Sequence, residues 1–522
     1  MNPRYALLIK IMMLWAGLLL GVQAAQSAQP TEDSLRMSVN KFSFTGLDHP
    51  AHGLTIAGLE QQALVERGRF GPDMSVEELN TLADALTLYV RTFGFPFHTV
   101  FLPPQRVEAG RVELRVQEGR LGNVHVINKT ELADERFEHP FAQELGELLY
   151  GPAIEKQVQA LKAQAGFNVF AFYSRGEKPG EAVLNLRVDK ADSHIYSLRL
   201  DNYGSATSGK QRAIAQYSQF QLTGHHDRLD LGMLQTLGGV ANRYGSLGYQ
   251  LPFGHLHYLW DISAANNQFE LGERFAALGL EGDTRTLSTG VTRVLRHQPS
   301  EHSSLRLGLY DKRNRLDAGQ TSVARELSQA VTAEWNRTWV SSKGAVANMQ
   351  LEYSYGPGEV ERLPDEDFNK IDFSALLSQG WGTGTWRQVL QFTGRGQFSD
   401  VSLPSIESMA LSGAYGVRGY SAGLFNAERA ALGVLEWRLP NVLVRKRWRI
   451  EPYVVAEYGT GRDLDAKSDT RSAHLSDIGL GANASFGAHL HINVMAVTGF
   501  GGAVDGVKLD AEHQVLCELR WQ

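Results

Sequence analysis

Arg418 stands in the run Gly413-Ala414-Tyr415-Gly416-Val417-Arg418-Gly419-Tyr420, where glycines let the backbone approach other groups closely and the tip carries one guanidinium. If such a hairpin folds away from bulk water, the arginine needs an acid. Glu457 is the candidate: in the segment Tyr453–Gly459, strand alternation sets Val455, Glu457 and Gly459 on one face and Val454, Ala456 and Tyr458 on the other. A partly dehydrated pair of this kind adds little net stability, but losing one member strands a charge, so its expected value is positional. Composition alone fits equally a solvated Arg418 and a Glu457 that lines a wet surface.

The remaining chemistry-bearing patterns are weaker. Gly419-Tyr420-Ser421-Ala422-Gly423 matches the G-x-S-x-G nucleophile elbow, which needs a strand, a turn and a helix around the serine; glycine-rich loop surrounds this one. His225-His226 and the His489, His491 pair each offer two ring nitrogens with no carboxylate at fixed spacing, so a metal site is not expected. Ser208-Gly209-Lys210 lacks the glycine spacing of a phosphate loop. The single thiol, Cys517, excludes a disulfide framework and Cys-based zinc or iron–sulfur sites. With 51 Lys+Arg against 57 Asp+Glu, a net charge of −6, the chain has no concentrated basic field, so nucleic acid is not an expected partner. No catalytic residue, metal or cofactor is expected.

The elements that must position Arg418 follow from periodicity. Residues 1–24 read as a secretory signal: Arg4 and Lys10, the apolar run Ile11–Leu20, then small residues to a cleavage site after Ala24. A short segment, 25–37, is expected to precede the first module. In 75–93, Val76, Leu79, Leu82, Ala83, Leu86, Tyr89, Val90 and Phe93 recur at helical steps behind a Ser75 cap with Glu78 as its partner. A strand at 39–44 and a weaker helix near 57–68 precede it, and strands at 97–102 and 111–117 follow, joined by Pro103-Pro104-Gln105. The order β-α-α-β-β recurs in 120–190, with helices expected near Leu132–Leu149 and over Ile154, Val158 and Leu161, then strands at 168–173 and 182–188. These are two α+β modules, 38–119 and 120–190.

From 191 to 522 helical periodicity gives way to segments of alternating apolar and polar residues. No window offers the 18 or so consecutive apolar residues of a spanning helix, and mean hydropathy is −0.25. In the last segment Val515, Cys517, Leu519 and Trp521 oppose Leu516, Glu518 and Arg520; in 488–498 Leu490, Ile492, Val494 and Ala496 oppose His489, His491, Asn493 and Met495. One face suits lipid and the other water. The pattern predicts sixteen antiparallel strands closing a transmembrane β-barrel, from 194–202 to 512–521, with the eleventh at 385–396, the twelfth at 426–438 and an inward-folding loop, 397–425, between them.

Together the Val417-Arg418-Gly419-Tyr420 loop, the two modules, Leu102-Pro103-Pro104-Gln105 with Gly110 and Gln117-Glu118-Gly119, and Leu200-Asp201-Asn202-Tyr203-Gly204 resemble the outer-membrane transporters of two-partner secretion. The resemblance spans about residues 38 to 522. It implies periplasmic polypeptide-transport-associated (POTRA) modules that capture an unfolded exoprotein by its N-terminal secretion domain, and a barrel that passes it outward without nucleotide or ion gradient. It also implies outer-membrane lipid, lipopolysaccharide and the barrel assembly machinery as partners. Glu457 stands where the family usually has Asp in an aromatic-x-Asp-x-Gly pattern, with Val455 in the aromatic place and Gly459 kept. The chain ends Trp521-Gln522, so Trp521 is expected to act as the membrane-insertion signal, displaced by one position. The alternatives are a barrel-assembly insertase of the same superfamily, disfavoured by having two modules, and a passive porin, which needs no modules.

Overall fold

The computed structural model describes residues 36–47, 52–162, 166–253, 258–298, 300–360, 366–440, 442–445, 447–464 and 471–522. The expected signal, 1–24, and most of the segment 25–37 lie outside them. By compactness the chain divides into two units, one built from residues up to 123 with 144–152 and 174–183, the other from 124–143, 153–173 and 184–522.

In the first module the apolar stripe makes helix Val76–Arg91, burying Leu79, Leu82, Ala83, Leu86 and Val90. Its start is fixed by the expected capping box: Glu78 N donates to Ser75 Oγ at 3.2 Å and Ser75 N donates to the Glu78 carboxylate at 2.8 Å. A second helix, Ile56–Arg67, is capped by Thr55. Both cover a three-stranded sheet in which Lys41–Thr45 runs parallel to Arg111–Gln117, and Thr99–Phe101 runs antiparallel to the same central strand. Gln105 secures the turn after Pro103-Pro104: its Nε2 donates to Glu113 O at 2.6 Å and its Oε1 accepts from Glu113 N at 2.8 Å. His98 lies fully buried, its Nδ1 accepting from Gly119 N at 3.2 Å, and burial lowers its pKa to about 4.

The second module repeats the strand order, with Arg120–Asn128, Glu181–Lys190 and Phe167–Arg175 side by side. Its second helix is Gly151–Lys162, burying Ile154, Val158 and Leu161. The helix expected over Leu132–Leu149 is instead a four-residue turn of helix, Glu135–Glu138, followed by a 3-10 turn, His139–Phe141. Pro140 removes a donor and Gly146 adopts φ 80°, so the apolar residues there pack without regular helix.

No helix among the described residues is long and apolar enough to cross a membrane. The crossing is made by strands. Among the described residues, sixteen long antiparallel strands from His194–Asp201 to His513–Trp521 close a barrel, with short extra strands at Leu443–Arg445, Ala503–Val504 and Val507–Lys508. The eleventh strand is Gln388–Ser399, three residues later than the alternation suggested, and the twelfth is Arg429–Arg438, which starts three residues late and ends where expected. A 3-10 turn, Gly384–Trp386, takes the place of the expected start of the eleventh strand. Alternation is borne out in burial: Val454 and Tyr458 are exposed, whereas Val455 and Glu457 are buried.

The barrel seam is short. Strand His513–Trp521 meets strand His194–Asp201 only from Glu518 opposite Asp201 to Trp521 opposite Leu198. Asn202 lengthens that contact, its amide Nδ2 donating to Val515 O and its Oδ1 accepting from Cys517 N, both at 2.8 Å. Trp521 packs on Tyr196 across the seam with ring centroids 5.1 Å apart.

Candidate functional site

The connection 400–428, between the eleventh and twelfth strands, folds against the lumen wall. Leu411, Val417, Tyr420, Phe425 and Ala427 are buried with the wall residues Leu432, Ala473 and Leu475, so the loop carries its own apolar base into a wet interior. The tip is tightened by backbone bonds from Gly413 N to Tyr420 O at 3.1 Å and from Val417 N to Leu411 O at 2.8 Å. Glycine is required where the tip meets the wall. A Cβ on Gly419 would lie 2.7 Å from both Asp477 Cβ and Gly499 N, and one on Gly459 would lie 2.9 Å from Val417 Cγ2.

Two acids on neighbouring strands receive the tip. Glu457, on the thirteenth strand Trp448–Asp463, lies directly opposite Asp477 on the fourteenth, Arg471–Phe486. Carboxylates opposed in this way repel. The loop supplies the missing donors: the Arg418 guanidinium pairs with Glu457, Arg418 N donates to Glu457 Oε2 at 2.6 Å, and Gly419 N donates to Asp477 Oδ2 at 2.5 Å. Arg418 Nη2 also lies 3.5 Å from Glu436 Oε1 on the twelfth strand. Ser421 gives both its N–H and its hydroxyl to Glu512, at 3.0 and 2.9 Å. The pentapeptide Gly419–Gly423 is therefore a turn docked on an acid, not the strand–turn–helix of a nucleophile elbow.

The loop is held at two further places. On one side Tyr415 Oη accepts from Arg212 Nη2 at 3.1 Å, and Arg212 in turn pairs with the buried Asp201 at 2.7 Å, beside the seam. On the other, Glu407 sits with its side chain fully enclosed, accepting from Lys312 at 2.9 Å, Lys370 at 2.5 Å and Ser328 Oγ at 2.9 Å. The histidines singled out in the sequence are dispersed. His225 bonds Thr223, His226 bonds Gln221, His489 bonds Gln522 O and His491 bonds Ser485.

The structure thus brings Val417, Arg418, Gly419, Tyr420, Glu457 and Gly459 together, while Pro103, Pro104, Gln105 and Trp521 serve elsewhere. Glu436 and Asp477 escaped notice although alternation alone places both on the lumen face. The Glu407 cluster carried no such signal, because the loop's path decides it.

Comparison with known proteins decides the family. The model described as "Haemolysin secretion/activation protein ShlB/FhaC/HecB" matches residues 180–484, more than half of the chain, and a ShlB-type POTRA domain model matches 57–119. The chain belongs to this family. Its members are two-partner secretion transporters of the outer membrane, with POTRA domains in the periplasm. The chain is similar to the heme/hemopexin transporter protein HuxB of Haemophilus influenzae, 23% identical over 474 residues, covering 83% of this chain and 80% of that one. It is also similar to the hemolysin transporter protein ShlB of Serratia marcescens, 25% identical over 283 residues, 52% of this chain and 49% of that one. In fold it matches the structure of CdiB from Escherichia coli at a TM-score of 0.71, with 17% identity over 95% of this chain and 92% of that one.

Proposed function

We propose that the inward loop is the element that controls passage, with Arg418 as its positioning residue and Glu457, assisted by Asp477 and Glu436, as the seat. The observation that carries this is the tip's donor set, satisfying two opposed buried carboxylates from within a closed barrel. A peptide crossing the lumen must run beside this loop or displace it. The exoprotein arrives unfolded, so its backbone stays hydrated in the wet lumen and its folding outside supplies direction.

Residues 38–119 and 120–190 act as the two capturing modules and 191–522 as the pore. In the second module strand Phe167–Arg175 forms a sheet edge, and Phe170 and Phe172 on it are 56% and 41% exposed, which suits an extended chain held by backbone bonds and aromatic contact. Pro103, Pro104 and Gln105 keep the first module's sheet in register for the same task. Trp521 is the signal by which the barrel assembly machinery inserts the chain, and the apolar outer band meets outer-membrane lipid and lipopolysaccharide. The test is to remove residues 38–190: ion conductance should persist in planar bilayers while a tagged exoprotein stays in the periplasm. Undiminished export by that deletion would reject the capture role.

A further inference from the structure

The outer wall of the barrel carries an arginine group remote from the inward loop's seat. On the seventh strand, Glu301–Ala318, Lys312 reaches the loop residue Glu407, so even-numbered side chains face the lumen and Leu305, Leu307, Leu309, Asp311, Arg313 and Arg315 face outward. On this wall the apolar band ends at Leu287, Leu309 and Val331, all more than half exposed. Just beyond it, toward the extracellular end, Arg285 lies directly opposite Arg313, and Arg315 directly opposite Arg325.

Like charges opposed on a sheet face are destabilising unless an anion lies between them. Acids interleave with these arginines, Asp283 lying directly opposite Arg315, but they meet them along one edge only. Asp283, Asp311 and Asp317 each take one edge of Arg285, Arg313 and Arg315, at 2.9, 2.8 and 2.7 Å, in pairs whose arginines are 71%, 67% and 57% exposed. Such exposed pairs hold weakly and leave the outer guanidinium nitrogens free. Arg325 is exposed and has no ion pair among the described residues. Arg285 and Arg313, with Asn266 and Asp311, rim a groove of about 740 Å³ that opens between Leu247, Ala264 and Leu287. Exposed guanidinium edges above and the Leu247–Leu287 apolar strip below, at the outer-leaflet end of a membrane wall, match one kind of molecule.

We propose that this face binds the phosphorylated glycolipid of the outer leaflet, the lipid A part of lipopolysaccharide. Its phosphates lie between the opposed arginines, whose planar forks suit them, and an acyl chain lies in the Leu247–Leu287 groove. The proposal rests on the outer-membrane placement of the barrel and not on export, so a barrel that binds lipid A but secretes nothing would overturn the transport reading and leave this one standing. The full chain is purified in detergent, and its heat-induced loss of the folded form on gels is followed with added bisphosphorylated lipid A, the same lipid A stripped of phosphate, or phosphatidylglycerol. Bisphosphorylated lipid A should raise the midpoint most, and Arg313→Gln with Arg325→Gln should weaken that protection about tenfold. Equal protection by dephosphorylated lipid A or by phosphatidylglycerol overturns the proposal, as does an undiminished effect in the variant. Should the variant not fold, the three lipids on the unaltered protein still decide.

Discussion

Replacing Arg418 by alanine removes the one guanidinium that faces Glu457, whose side chain is fully enclosed. Glu457 then keeps a single backbone donor while standing opposite Asp477 in the sheet. Stripping one partner from a buried ion pair costs about 3–5 kcal/mol. The lumen is wet and Arg418 is itself 18% exposed, so the lower end, about 3 kcal/mol, is the figure to expect. At 1.4 kcal/mol per tenfold, that lowers the docked population of the loop relative to the undocked one by roughly a hundredfold. The barrel wall, held by its strand ladders, should persist. The assay compares Arg418→Ala, Glu457→Ala and the double variant: heat-modifiability on gels for the barrel, protease cutting within 400–428 for the loop, and exoprotein in the medium for export. Both single variants should keep the barrel, expose the loop and lose export. The double variant should lose less than the sum of the two, because no stranded charge remains. Wild-type export by both single variants would refute the placement of the loop and the role given to its arginine.

Other expectations follow from the same coordinates. Gly419→Ala should expel the tip as effectively as Arg418→Ala, since its methyl meets Asp477 Cβ and Gly499 N at 2.7 Å, with loop protease sensitivity as the readout. Glu407→Ala should take the shared acid from Lys312 and Lys370, leaving Lys370 paired with Asp372 at 3.2 Å, and free the root of the loop, seen as cutting near 400–410 with the tip contacts intact. Gln105→Ala should cost the first module about 1–2 kcal/mol by freeing both backbone groups of Glu113, read as faster hydrogen exchange in strand Arg111–Gln117. His98 is held neutral by burial, with its pKa lowered from 6.5 to about 4, so the unfolded module takes up a proton first as pH falls. Its contribution is full above about pH 6.5 and is lost on acidification toward pH 4. His98→Gln should flatten hydrogen-exchange protection across that window.

The barrel was legible because lipid and water impose a two-residue period on every strand, and sixteen such segments could be counted without knowing their partners. The Arg418–Glu457 pair was legible for a related reason: the glycine-flanked arginine needed an acid, and alternation put Glu457 on the wet face. Asp477 obeyed the same parity, but no local spacing ties it to Glu457. The Glu407 cluster was hidden because three strands and one loop contribute to it and no local spacing links them. In the second module the helix expected near Leu132–Leu149 fails because Pro140 breaks the backbone ladder it requires, although Phe137 and Phe141 are still buried.

The central claim is that this barrel passes an unfolded exoprotein captured by its periplasmic modules. The direct measurement is the partition of a tagged exoprotein between periplasm and medium in cells that carry the full chain, the 38–190 deletion, or no transporter. The account predicts tag in the medium with the full chain alone. Equal tag in the medium for all three, or none with the full chain and a cognate exoprotein, would contradict it.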